Sequence, residues 1–189
     1  MHKALILYGT RYGATTGTAE VIAKVLRQEG LEVRVVNAKE EKVDDISEYE
    51  LVVVGSGILI NRWTGEPEKF LRKFQKELAR KKVAFFVSCG SASQALGGKP
   101  EAMTKARGKY LEEKAAQYNL QPVALGFFGG VYDFNKVPWW AKKAMEGERL
   151  KIKAAYKETQ PGVYDTRDWD AIESWAKELA ASLRCLDKS

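Results

Sequence analysis

Hydrophobic residues fall along this chain in short runs separated by longer amphipathic stretches. Residues 3–8 (KALILY) form an apolar run too short for a helix and stopped by Gly9, which predicts a buried strand. Over 15–29 the period changes. Val21, Ile22, Val25 and Leu26 recur at helical spacing, and Gly30 follows as a stop signal. LEVRVV (31–36) alternates and is rich in valine, so it reads as a strand nearer an edge. A third, more apolar strand is expected at about 51–55. Residues 65–81 are amphipathic, with Phe70, Leu71, Phe74 and Leu78 in register and Pro67 in the first turn. VAFFVSCG (83–90) predicts a fourth strand, and the loop SASQALGG leads to a helix from Pro100 to about Tyr118. PVALGFF (122–128) is the fifth strand, and 168–183 the last helix, with Asp168 near its start and Ile172, Trp175, Ala176 and Leu179 as its stripe. No internal repeat, low-complexity tract or linker interrupts this order.

Strands that alternate with helices, and that read as apolar runs more than strict alternations, imply an α/β fold with a parallel sheet covered on both faces. Right-handed crossovers leave few topologies, and five strands favour the order 2-1-3-4-5. The length of 189 residues suits one domain, 1–189, with residues 129–167 as an extra segment between the fifth strand and the last helix. In such a sheet ligands bind beyond the carboxyl ends of the strands, at the switch point between strands 1 and 3. The segments 9–16, 55–65 and 88–98 converge there.

The first of these has the chemistry of an anion seat. Gly13 permits close backbone approach, Thr10 and Thr15 offer hydroxyls, and the helix start presents free N–H groups and the positive end of its dipole. No Gly-Lys-Ser/Thr follows, and there is no G-x-G-x-x-G, so neither a Walker loop nor a dinucleotide fingerprint is present. The alternative is a plain strand-to-helix turn. Clustered aspartates at the end of the first strand would mark a phospho-receiver domain, but Gly9-Thr10 stand there.

Charge and cysteine content narrow the classes further. His2 is the single histidine, which argues against a His-based triad or a multi-His metal site, and no metal ligands are assigned. Two cysteines, Cys89 and Cys185, do not make a disulfide framework and fit a reducing cytoplasm. No apolar run reaches the roughly 18 residues of a spanning helix, and the N-terminus is too strand-like for a signal peptide. The net charge of +6 is unevenly placed: residues 135–157 hold seven basic and two acidic residues, leaving 24 basic and 23 acidic elsewhere. The chain is a near-neutral body with one basic element.

The loop Thr10-Arg11-Tyr12-Gly13-Ala14-Thr15, a T-x-x-G-x-T directly after the first strand, resembles the phosphate loop of the flavodoxin family, whose members bind FMN. The expected strand order agrees, so the likeness extends over nearly the whole chain and implies a flavodoxin-like three-layer sandwich. Several stretches are more similar to the menaquinone-dependent protoporphyrinogen oxidase branch. They are Thr10-Arg11, VVVGSGILINRW (52–63), the aromatic and basic stretch after the fifth strand, and DTRDWDAIESWAKEL (165–179). The resemblance implies that Thr10, Arg11, Tyr12, Gly13, Ala14 and Thr15 hold the FMN phosphate. Thr15 would open the helix, and Arg11 would add a charge-assisted bond. It further implies that Ser56, Gly57, Ile58 and Leu59 lie along the isoalloxazine ring. Ser88, Cys89, Gly90 and Ser91 would approach its pyrimidine side, where backbone N–H groups tune the flavin. Turn chemistry explains Gly57 and Gly90 equally well, and Cys89 reads as a buried small side chain before a redox centre. Cys185 is assigned no chemical role. Many flavodoxins stack an aromatic residue on the ring; Trp63 either does so or packs on the following helix.

The same resemblance implies an FMN-dependent oxidoreductase of the protoporphyrinogen oxidase type, taking hydride equivalents from a small-molecule substrate and passing electrons to a quinone. No side-chain acid/base pair is assigned. The alternatives are a non-enzymatic electron carrier that meets a redox protein, and an NAD(P)H quinone reductase. A carrier's usual acidic surface does not match the +5 segment. In that segment Trp139, Trp140, Tyr132, Phe134, Met145, Leu150 and Ile152 stand among lysines, and about 137–156 is expected to be partly helical. It reads either as a solvated cover on the sheet or, through 136–157, as a contact for the inner face of a membrane or a partner. No recognition helix or base-stacking motif accompanies the charge, so nucleic acid is not expected.

Overall fold

The computed structural model describes residues 2–11, 13–59, 61–93 and 99–184, and the backbone alone of Leu59 and Arg184. The main sheet runs β2 (Glu32–Asn37), β1 (Lys3–Gly9), β3 (Leu51–Leu59), β5 (Lys82–Ser88) and β6 (Ala124–Phe128), all parallel. A two-residue strand, β4 (Arg62–Trp63), turns back antiparallel on the end of β3, with Ile58 opposite Trp63. Apart from that added strand, the path is the expected 2-1-3-4-5. It also explains why β3 outlasts its apolar run: the hairpin gives Ile58 and Leu59 a partner.

The two-residue period hidden in the apolar runs divides the core. Ala4, Ile6 and Tyr8 of β1 face α1 (Ala14–Gln28) and α7 (Trp169–Arg184), where they meet Ile22, Leu26, Ile172 and Leu179. Leu5 and Leu7 point to the opposite face, against Phe70, Leu71 and Phe74 of α2 (Gly65–Leu78). Leu111 joins that second core from the π-helical turn Gly108–Glu112, which links α3 (Pro100–Arg107) to α4 (Glu113–Gln117). Burying strands on both faces removes the alternation that would mark a half-exposed sheet. Backbone space is tight where the layers meet. A Cβ on Gly55 would lie 2.1 Å from Phe86 Cζ.

Residues after β6 form an arm. A second, antiparallel sheet of order β7-β9-β8 joins β7 (Val131–Asp133), β9 (Val163–Asp165) and β8 (Glu158–Gln160). Between β7 and β8 lie α5 (Trp139–Lys142) and α6 (Glu146–Ala155), in agreement with the partly helical expectation. The arm has its own small core. Tyr132 and Phe134 stack at 6.2 Å, Tyr164 meets Phe134 edge-on at 5.9 Å, and Ile152 is buried.

Two clamps close the base of the arm. Thr166 N–H and Oγ1–H both donate to Gly130 O at 2.9 Å, and Gly130 N–H donates to Thr166 Oγ1 at 3.1 Å. Arg167 forms a two-pronged pair with Asp165 (2.8 and 2.6 Å) and donates through Nη1 to Ala14 O at 2.9 Å. Its guanidinium also lies 4.2 Å from the Trp169 ring centre. The second clamp reaches the first turn of α1 directly.

Candidate functional site

At the carboxyl ends of β1, β3 and β5 opens a cavity of about 370 Å³, within the range that holds cofactors and drug-sized ligands. One end is polar. β1 stops at Gly9, and Gly13 turns the chain in the left-handed region (φ 90°) to start α1 at Ala14, one residue before the expected opening at Thr15. Gly13 N–H donates to Thr10 Oγ1 at 2.9 Å, so the Thr10 hydroxyl proton remains to be given away. Thr15 is buried at 1% exposure, lines the cavity, and its hydroxyl has no hydrogen-bond partner among the described residues. Arg11 lines the same end and forms no ion pair among the described residues. Two hydroxyls, a cation and the N–H groups of a helix start therefore converge on one spot, which suits an anion.

The floor is backbone. Gly57 and Ile58 lie near the end of β3, and a Cβ on Gly57 would stand 3.2 Å from Thr15 Oγ1 and crowd that hydroxyl. Ser88, Cys89 and Gly90 supply the next stretch. Cys89 N–H is engaged with Phe128 O at 2.9 Å, and the N–H groups of Ser91 and Ala92 approach the Cys89 sulfur. That leaves Gly90 N–H without a partner among the described residues, and it is the donor this loop offers to the cavity. Burial pushes the Cys89 thiol up to about 12, outweighing those N–H contacts, so the sulfur stays protonated at neutral pH.

The far wall comes from the arm: Gly130, Tyr132, Phe134, Val137, Pro138 and Met145 line it, with Asp133 and Lys136. The Tyr132 hydroxyl is pushed well above its ordinary value, first by burial and then by the neighbouring Cys89. Burial also works to raise the Asp133 carboxyl. Lys136 at 3.2 Å and the Asn135 N–H at 3.0 Å outweigh it and hold the carboxyl below the usual range.

Of the residues singled out in the sequence, Thr10, Arg11, Ala14 and Thr15 line the polar end, and Gly57, Ile58, Ser88, Cys89 and Gly90 line the floor. Gly13 shapes the loop from behind, and Ser91 lies in the 3₁₀ turn Gly90–Ala92. Ser56 points elsewhere. Its hydroxyl donates to Gly57 O at 2.8 Å and accepts from Thr64 N–H at 2.9 Å, fastening β3 to the start of α2. Tyr12 and Cys185 lie outside the described residues, as does the side chain of Leu59. Trp63 is not among the residues that line the cavity, and its contacts are with β5 and the turn Gly108–Glu112. It is buried, meets Phe85 edge-on at 5.5 Å and donates its indole N–H to Tyr110 O at 2.8 Å. The aromatic residues on the cavity are Tyr132 and Phe134, which the sequence placed in the arm without assigning them to the site.

Comparison with known proteins agrees with this geometry. The sequence profile of the flavodoxin domain matches residues 5–160. The chain is 24% identical over 184 residues to the protoporphyrinogen IX dehydrogenase [quinone] of Escherichia coli strain K12, covering 94% of each. It is 28% identical over 87 residues to the flavodoxin of Clostridium beijerinckii, covering 45% of this chain and 63% of that one. The structure of a flavodoxin from the domain Archaea superposes with a TM-score of 0.55 at 18% identity, covering 96% of this chain and 99% of that one. The profile match takes in four of the five parallel strands whole, most of β1, the loop and floor of the cavity, and the arm as far as β8. The chain belongs to the flavodoxin domain family.

Proposed function

We propose that the chain holds FMN in this cavity, with the phosphate in the loop 10–15, and that it is an oxidoreductase which oxidises a porphyrinogen and delivers the electrons to a quinone. The observation that carries the flavin half is one continuous cavity with an anion seat at one end and a glycine-floored, aromatic-walled slot at the other. In this reading the hydroxyls of Thr10 and Thr15 and the N–H groups of the first turn of α1 bind the phosphate, and Arg11 adds charge. Gly57 would leave room for the ring, Gly90 N–H would be available to its edge, and Tyr132 would wall it. Tyr132, Phe134, Val137, Pro138 and Met145 exclude water from the slot and offer apolar contact to a flat reactant. FMN, when bound, supplies the redox chemistry, accepting hydride equivalents and giving up electrons. The residues supply binding, orientation and a dry wall, which accounts for the lack of an assigned acid/base pair.

The substrate half rests on the likeness to the E. coli dehydrogenase, which runs nearly end to end in both chains. A non-enzymatic carrier is the second reading, favoured by the likeness to flavodoxins. The arm favours the enzyme, because a wall over the cavity suits a bound small molecule better than a docked protein. The test is anaerobic turnover. FMN-loaded protein given protoporphyrinogen and a quinone should produce porphyrin fluorescence at a rate that rises with quinone. A protein that retains FMN but turns over with no quinone, while exchanging single electrons with a redox protein, would favour the carrier.

A further inference from the structure

The outer face of the arm carries a feature that the cavity does not use. Trp139 is 85% exposed and Trp140 is 70% exposed, while the core tryptophan Trp63 is 6% exposed. Leu150, on the neighbouring helix, is 57% exposed. Two adjacent indoles in water forgo the burial that makes tryptophan stabilising, and neither indole N–H has a partner among the described residues. The same segment, residues 135–157, holds seven basic against two acidic residues. Arg149 is paired with Glu146 and Lys136 with Asp133. Lys142, Lys143, Lys151, Lys153 and Lys157 are exposed and have no ion-pair partner among the described residues.

Exposed indoles in a segment of exposed lysines match one surface in particular. Indole rings settle in the headgroup layer, where the apolar body and the N–H are both satisfied. Lysines near them are attracted to anionic lipid. An acidic protein would satisfy the lysines, but it would need a matching concavity for two protruding rings. Among the described residues no helix is long and apolar enough to cross a membrane, so the contact is interfacial. The pair follows Val137 and Pro138, which line the cavity, so this face adjoins the cavity rim. We propose that Trp139, Trp140 and the lysines of residues 142–157 form a docking face for an anionic lipid bilayer. This stands independently of what the cavity holds.

Vesicle co-sedimentation of the whole protein tests it. The probes are vesicles of phosphatidylcholine alone and with roughly 30% phosphatidylglycerol, at about 0.05 M and about 0.5 M salt. The protein should bind the anionic vesicles at low salt, with a blue shift of tryptophan emission, and leave them at high salt. W139A/W140A should weaken binding about tenfold or more and lose the blue shift, and K142E/K143E should weaken it at least as much. All four side chains are at the surface, so the variants should melt with the parent, which separates lost docking from lost folding. Failure of the parent to bind, equal binding to neutral and anionic vesicles, or variants that bind like the parent would each overturn the proposal. So would binding to polyglutamate at low salt without binding to vesicles, which would assign the face to an acidic protein.

Discussion

Gly129 is the residue on which the placement of the arm turns. A Cβ built there would lie 2.2 Å from Thr166 O and 2.7 Å from Thr166 C, both backbone atoms that no rotamer change can move. Gly129→Ala must therefore push the Thr166 backbone away from β6. Overpacking of this kind costs about 1–3 kcal/mol. Moving Thr166 disturbs its three hydrogen bonds with Gly130, one through its N–H and two through its hydroxyl, each with a net value of about 1 kcal/mol. Partial relief of the clash trades one loss against the other, so the expected total is about 2–4 kcal/mol, or about 5–15 °C in melting temperature at this chain length. Thr166→Val is the companion variant. It keeps the shape, removes the hydroxyl and leaves Gly130 N–H unpaired, at about 1–3 kcal/mol. Urea and thermal denaturation read both. A Gly129→Ala protein that melts within a degree of the parent would mean that the arm does not sit against β6 as described. The consequence for the site would then fail with it, since the same contact sets the far wall of the cavity.

Two further perturbations probe the site from other sides. Arg167→Ala takes the guanidinium from the part-buried Asp165 carboxylate, which keeps only the backbone N–H of residue 167, and from Ala14 O, and should cost about 2–4 kcal/mol. In the D165A/R167A double variant much of that loss should return, and simple additivity of the two single variants in chemical denaturation would rule out a coupled clamp. For Cys89, the folded thiol titrates near 12 against an ordinary value of 9.0. Below about pH 9 both states hold the proton and stability is unaffected, whereas above it the unfolded chain releases the proton first. The stability advantage of the parent over Cys89→Ala should therefore shrink by about 2 kcal/mol between pH 8 and about pH 10.5. A pH-independent difference in urea unfolding would contradict a buried, protonated thiol.

What could be read from the sequence follows from how much apolar surface each element buries. The main sheet was legible because β1, β3 and β5 are buried on both faces and so stand out as runs of valine, leucine, isoleucine and phenylalanine. The helices were legible for the same reason in the other period. β4 was not, because two residues carry no period and its pairing depends on where β3 ends. The second sheet was hidden likewise, in three strands of three residues each.

The polar end of the cavity could be found from Thr10, Gly13 and Thr15, because a helix start after a buried strand has a local signature. The far wall could not. Tyr132 and Phe134 are held at the cavity by Thr166 and Arg167, more than thirty residues later, which bind back to Gly130 and to Ala14 of α1. Trp63 had two places open to it in the sequence. Its indole bonds instead to Tyr110 O, 47 residues on, a partner that neither place named. Ser56 shows the reverse case, a residue next to the site whose hydroxyl is spent on holding Thr64.

The central claim, a phosphate-anchored flavin in this cavity, is tested most directly by titrating the protein with FMN and with riboflavin and following flavin fluorescence. The account predicts saturation at one FMN per chain and binding of riboflavin weaker by about a hundredfold, since the anion seat at Thr10, Arg11 and Thr15 is then empty. Equal affinity for the two flavins, or no saturable binding of FMN, would contradict it.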